Sequence, residues 1–227
     1  LYCIKMLYPD RIFLLRGDHE FLETNSRHGF ALDFYDRYSE ATWKAVFFKV
    51  NESFCYLSAA AIVGNAYFCA SGGISPSAFT RLHLQSIRKP MVDSRSDVMV
   101  HDVVYSEIAK DLHGSTFNGG RRTSIYYGLD VLSRALYNMD CKMIIRGHTI
   151  LEKGFENIGH LCFSLFTATG TKDYNDGAVA LIGEQGRLTI RVLKCNKERV
   201  IWVDKLKRRD AASTNSTVDP HTMNAKM

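Results

Sequence analysis

One pattern recurs along the chain and restricts its fold more than any other: an apolar run that ends at a glycine and opens into polar or ionisable side chains. It appears as "FLLRGDHE" at 13–20, "YFCASGGISP" at 67–76 and "MIIRGHTILEKG" at 143–154. A further stretch, "LFTATGTKDYNDGA", also ends an apolar run in a polar, glycine-containing loop. Strands whose ends open into such loops bring ligating groups to one sheet edge in α/β proteins. Gathered there, Asp18, His19 and His148 would offer carboxylate oxygens and imidazole nitrogens, a donor set suited to divalent transition metals. A pair of such ions clamps the attacking and leaving oxygens of a phosphoryl transfer.

The surrounding sequence predicts what would carry these loops. Runs rich in β-branched and aromatic residues predict strands at Arg11–Leu15, Ala60–Val63, Tyr67–Ala70, Met143–Ile145, Leu161–Phe166, Ala178–Ile182 and Leu188–Leu193. The last two are joined by a glycine-bearing turn, a hairpin signal. Between them, "DFYDRYSEATWKAVFFKVNESF" and "YYGLDVLSRALYNMD" place apolar residues at helical spacing, the latter with Leu129, Leu132 and Leu136 on one face. Trp43 and Phe47 read as core. The alternation of strands and helices, turning strand-rich late, predicts an α/β fold: a β-sandwich flanked by helices.

The opening "LYCIKMLYPD" reads as the last turns of an amphipathic helix running into Pro9, and the chain as truncated at its N-terminus. From about Lys205 apolar periodicity is lost. Residues 205–227 are expected to form a disordered basic tail, leaving 1–204 as one domain.

Composition excludes some partners. The net charge of +5 lies largely in "KERVIWVDKLKRRD", without the aromatic-basic interleaving of a nucleic-acid face, so no nucleic acid is expected. No apolar run approaches the roughly 18 residues of a membrane span, so no membrane is expected either. The six cysteines are scattered, mostly inside apolar runs and without a CxxC pair; they read as reduced, buried thiols of an intracellular protein (cytoplasm, nucleus or both).

The motifs together resemble those of the PPP family of metal-dependent protein serine/threonine phosphatases, the family of protein phosphatase 1 and calcineurin. Its "LLRGNHE" is similar to "LLRGDHE", its "HGGLSP" to "SGGISP", its "RAHQ" to "RGHT", and its "DRG" with following aromatics to "RRTSIYYG". The resemblance runs from Leu1 to about Lys194. It implies a metallophosphoesterase fold and hydrolysis of phosphoserine or phosphothreonine by a metal-activated water. It implies two divalent ions (manganese, iron or zinc), a phosphoprotein substrate and regulatory subunits. By position, Asp18 and His148 match metal ligands, and His19 matches the general acid. Arg121, with Arg122 beside it, matches the arginine that holds the substrate phosphate. Expulsion of an alkoxide needs a proton, which a histidine supplies, and a guanidinium fork pairs two phosphate oxygens at once.

The departures are specific. Ser71 stands where the family has a ligand histidine, which weakens the second metal site, and Asp18 replaces an asparagine. "TATGT" replaces "SAPNY", so Thr171 or a neighbour takes the place of a tyrosine over the cleft, and Gly120 takes that of an acidic residue. The first metal's ligands and a second phosphate-binding arginine would lie upstream of Leu1, so the fragment alone is expected to be inactive. Two other readings stay open: a pseudophosphatase acting as a protein-binding module, and another metallophosphoesterase such as a dinucleotide polyphosphate hydrolase. Glu20 reads as orienting its loop, and Gly72 and Gly73 as tight backbone beside the site. His28, His83, His101, His113 and His160 have no motif behind them.

Overall fold

The β-branched run Ala60–Val63 (β1) turns back into Tyr67–Ala70 (β2) through Gly64 and Asn65, both at positive φ (57° and 53°). Glycine and asparagine tolerate that conformation, and it closes an antiparallel pair in which Val63 faces Tyr67. This hairpin forms one edge of the main sheet in the computed structural model, which describes residues 1–76, 79–120 and 123–196. Beside it lie Met143–Arg146 (β6), Phe155–Ile158 (β7) and Cys162–Leu165 (β8), giving the order β1-β2-β6-β8-β7. The β2–β6 and β6–β8 pairs are parallel. The loops after β2 and β6 therefore open at the same end of the sheet.

Two helices cover this sheet. Val98–Tyr105 (α6) is capped by Asp97, whose carboxylate accepts from the amides of Met99 and Val100. Leu129–Asn138 (α7) buries Leu132 and Leu136, with Leu129 packed at the margin. Phe68, Ile144, Val103, Val104 and Leu132 are all fully buried in one cluster. At roughly 1.5–3 kcal/mol for each large apolar side chain, these contacts set the sheet that carries the loops.

A second cluster joins Phe30–Arg37 (α3) to Trp43–Phe54 (α4) around Ala31, Trp43 and Phe47. Sequence spacing predicts one helix here, but the structure breaks it. Tyr38 is extended, and the Ser39 and Thr42 hydroxyls meet at 2.8 Å. Short hydroxyl side chains that bond locally compete with helix, and the break lets Phe34 meet Phe47 edge-on at 5.7 Å.

Three further expectations change. The strand predicted at Arg11–Leu15 is a single bridge, Leu15 to Ser58, because the rest of the run has no ladder partner among the described residues; Phe13 is exposed. Tyr126 and Tyr127, read as the start of a helix, belong to Ile125–Tyr127 (β5), flanked by Glu107–Ile108 (β3) and Ser115–Phe117 (β4) in a small sheet. Those short strands and β7 lack sequence periodicity. Of the six free cysteines only Cys162 is fully buried, and Cys3 is exposed. The helix before Pro9 is present as Tyr2–Leu7 (α1), and the late hairpin forms from Gly177–Ile182 (β9) and Leu188–Leu193 (β10). Residues 205–227 lie outside the described residues. Among the described residues no helix is long and apolar enough to cross a membrane.

Candidate active site

The first loop is built around a buried arginine. Arg16 follows the Leu15 bridge, and its amide donates to Ser58 O at 2.8 Å. Its guanidinium donates to the Glu20 carbonyl at 3.1 and 3.0 Å and to the Met91 carbonyl, and it lies over the Phe21 ring at 3.5 Å. The Gly17 amide donates to the Glu20 carboxylate at 2.8 Å, so Glu20 orients the loop. A tight turn over Asp18–Glu20 results, with His19 outward and Asp18 inward.

The second loop leaves β2 at Ser71. The Gly72 and Gly73 amides both donate to Val103 O, at 2.9 and 3.1 Å. A Cβ on Gly72 would lie 2.6 Å from the Val104 carbonyl, and one on Gly73 2.3 Å from the Tyr127 hydroxyl, so only glycine permits this approach. The third loop leaves β6 at Gly147, whose amide donates to Ser71 O at 3.0 Å. Buried Arg146 donates to Gly72 O and, at 3.1 Å, to Thr149 Oγ1. The second and third loops are thus fastened to each other. His148 takes a left-handed conformation, φ 67°, a strained state for a side chain of this kind that surrounding structure must hold.

At this junction His148 Nδ1 lies 3.3 Å from Asp18 Oδ1. His148 Nε2 lies 3.8 Å from Glu107 Oε1, and His19 Nε2 lies 3.8 Å from Asp18 Oδ2. The His148 side chain is only 2% exposed, and the Tyr105 ring meets it edge-on at 6.2 Å. Burial opposes ionisation of Asp18, but the hydrogen bond and charge of His148, with His19 adding, hold its carboxyl below the usual range. Ser71 stands close by: its Oγ is 3.5 Å from where a Cβ on Gly17 would sit.

Does this donor set fit a divalent ion? Oxygen and nitrogen ligands about 2.1 Å from one ion lie roughly 3–3.5 Å apart, so the 3.3 Å pair of Asp18 and His148 fits two positions of a shared ion. Among the described residues no group of three or more His, Cys, Asp or Glu side chains is arranged to hold a metal. Ser71 supplies no imidazole.

Other expected positions fall differently. Arg121 lies outside the described residues. Thr171 is exposed and donates its hydroxyl to Ala168 O at 3.1 Å, within its own loop. The sequence reading missed Arg16 and Arg146, which hold the loops. Their signal was present: both motifs place an arginine directly before the glycine. Glu107 and Tyr105 carry no such signal, since only packing brings them to His148.

A family model described as calcineurin-like phosphoesterase matches residues 1–151, a span that takes in Asp18, His19, Ser71 and His148. A solved structure, a protein serine/threonine phosphatase from Saccharomyces cerevisiae with similarity to human phosphatase PP5, matches with a TM-score of 0.75 at 24% identity. The match covers 85% of this chain and 63% of that one. This chain therefore spans less than two thirds of that protein, and the likeness concerns the fold. Loops that converge on Asp18 and His148, within a family match over most of the chain, make this protein a member of the calcineurin-like phosphoesterases with the fold of a serine/threonine phosphatase.

Proposed function

We propose that this chain belongs to a protein serine/threonine phosphatase catalytic domain, acting on phosphoserine or phosphothreonine. The observation that carries the reading is the 3.3 Å approach of Asp18 to His148, with His19 on the adjoining turn. Asp18 and His148 would hold a divalent ion of manganese, iron or zinc. When bound, such ions supply Lewis acidity toward the phosphoryl group. His19, exposed beside Asp18, gives its proton to the departing serine or threonine oxygen. Arg121 pairs two phosphate oxygens, as the resemblance implies. Glu20 and Arg16 hold His19 in place through the loop they close. The free thiols support an intracellular setting.

Ser71 favours a second reading, a pseudophosphatase that keeps the fold and binds partners. Its hydroxyl is a poor replacement for imidazole toward these metals. The full-length protein assayed on a phosphoserine peptide with manganese separates the two. Turnover that falls by about 100-fold or more in His19→Ala supports the enzyme. An inactive parent that still captures phosphoprotein partners, unaffected by His19→Ala, supports the binding module.

A further inference from the structure

The imidazole of His148 stands between two carboxylates, one at each ring nitrogen. Nδ1 lies 3.3 Å from Asp18 Oδ1, and Nε2 lies 3.8 Å from Glu107 Oε1. All three side chains are largely buried. Their backbones fix which nitrogen meets which carboxylate. Glu107 sits opposite Tyr126 in the β3–β5 ladder, and His148 follows the main-chain bond from Gly147 to Ser71. The Tyr105 ring, edge-on at 6.2 Å, limits how the imidazole turns.

A doubly protonated imidazole serves both carboxylates, but a metal-bound one has a single N–H left to give. Which nitrogen binds the ion therefore decides what the other carboxylate does. Oxygen and nitrogen ligands about 2.1 Å from one ion stand roughly 3–3.5 Å apart. The Asp18 pair falls in that range and the Glu107 pair does not. The ion accordingly belongs at Nδ1, and the remaining proton, on Nε2, faces Glu107. At 3.8 Å that contact is an ion-pair separation, longer than a hydrogen bond, as such contacts often are before a bound group tightens them. A metal-bound histidine that gives its other N–H to a carboxylate is fixed in tautomer and orientation, and its bound nitrogen is the stronger donor.

We infer that Glu107 is a positioning residue for the metal: it holds the His148 proton on Nε2 and so presents Nδ1 to the ion that Asp18 shares. The inference rests on Asp18 and His148 holding an ion, as proposed above. In a competing arrangement, Glu107 ligates the ion itself, through its charge and together with Nε2. Glu107→Gln separates the two, because its carbonyl oxygen still accepts from Nε2–H but carries no charge. Glu107→Leu removes the acceptor at similar size.

The test uses the full-length protein, stripped of metal and reloaded. Manganese is titrated by calorimetry, and the binding step lost in His148→Ala identifies the site. Zinc is added for nitrogen-15 histidine NMR. Zinc is expected to shift His148 Nδ1 and to leave Nε2 protonated, with its proton resonance far downfield. Glu107→Leu should move that proton upfield and raise the manganese dissociation constant of the step by about 10–100-fold. Glu107→Gln should keep the proton downfield and stay within about fivefold of the parent. Zinc shifting Nε2 in place of Nδ1 would overturn the inference, as would a loss in Glu107→Gln as large as in Glu107→Leu. Unchanged affinity in Glu107→Leu would overturn it as well, and all three results leave the site reading intact. Should Glu107→Leu fail to fold, the zinc shift in the parent and the Glu107→Gln affinity still decide. A parent without any manganese step that His148→Ala removes would take away the site reading, and this inference with it.

Discussion

The amide of Gly147 donates to the carbonyl of Ser71 at 3.0 Å, so the loops after β2 and β6 are joined through main chain before any side chain takes part. Ser71 is therefore held beside the Asp18 turn whatever its own side chain does. Replacing it with histidine should add a donor next to an existing pair. In the full-length protein, Ser71→His is expected to lower the manganese concentration for half-maximal activity by about 10–100-fold. Equal manganese dependence in both proteins would show that Ser71 is not the defect.

Arg16 is 1% exposed, and its guanidinium satisfies the carbonyls of Glu20 and Met91. Arg16→Met keeps much of the volume but leaves both acceptors without these donors. A loss of about 3 kcal/mol is expected, read as a lower urea midpoint. A loss under about 0.5 kcal/mol would mean that the loop finds other donors.

Gly72→Ala presses a methyl against backbone, 2.6 Å from Val104 O and 2.7 Å from Ser106 N. Backbone cannot swing aside as a side chain can, so destabilisation of about 1–3 kcal/mol is expected. Gly119→Ala meets nothing within 4 Å and should stay within about 0.5 kcal/mol. Thermal unfolding of the two variants side by side checks the contrast.

His101 gives stability a pH dependence. Burial is the largest influence and lowers the pKa of His101 from its ordinary 6.5. Asp102 on the same helix, Glu23 from Leu22–Asn25 (α2) and Asp93 oppose this, while Arg95 adds to it. With the folded pKa depressed, the unfolded chain takes the proton first as pH falls. Stability present above about pH 6.5 is thus lost progressively below it. His101→Gln should lose less than the parent between pH 7 and 5 in urea titrations. An identical slope in both would assign the acid sensitivity elsewhere.

The three polar loops were readable in the sequence because each is local: a strand, a glycine and the groups that follow. That was enough to anticipate Asp18 and His148 on a common sheet end, and they lie within 3.3 Å. What stayed hidden was non-local. Leu15 makes one bridge and not a strand because pairing depends on which partner is available. Glu107 and Tyr105, on the consecutive β3 and α6, reach His148 only because that stretch packs against the loop after β6, and His101 meets Thr123 from a different element. The helix break at Tyr38–Thr42 has a local cause in the Ser39 and Thr42 hydroxyls, but the contact it permits, Phe34 on Phe47, lies between α3 and α4, where periodicity within one segment does not report it.

Ala70 stands opposite Arg146 in the parallel ladder, so the residues that follow each strand emerge in step. The ladder acts as a vernier for the chemistry: its reading is set by hydrogen bonds some distance from any reacting atom. Deleting a single residue from either strand would turn every later side chain to the opposite face. Ser71 or His148 would then be mis-indexed even though the composition of its loop was untouched. Length changes in these two strands should accordingly be far more damaging than equally large changes in the turn between β9 and β10.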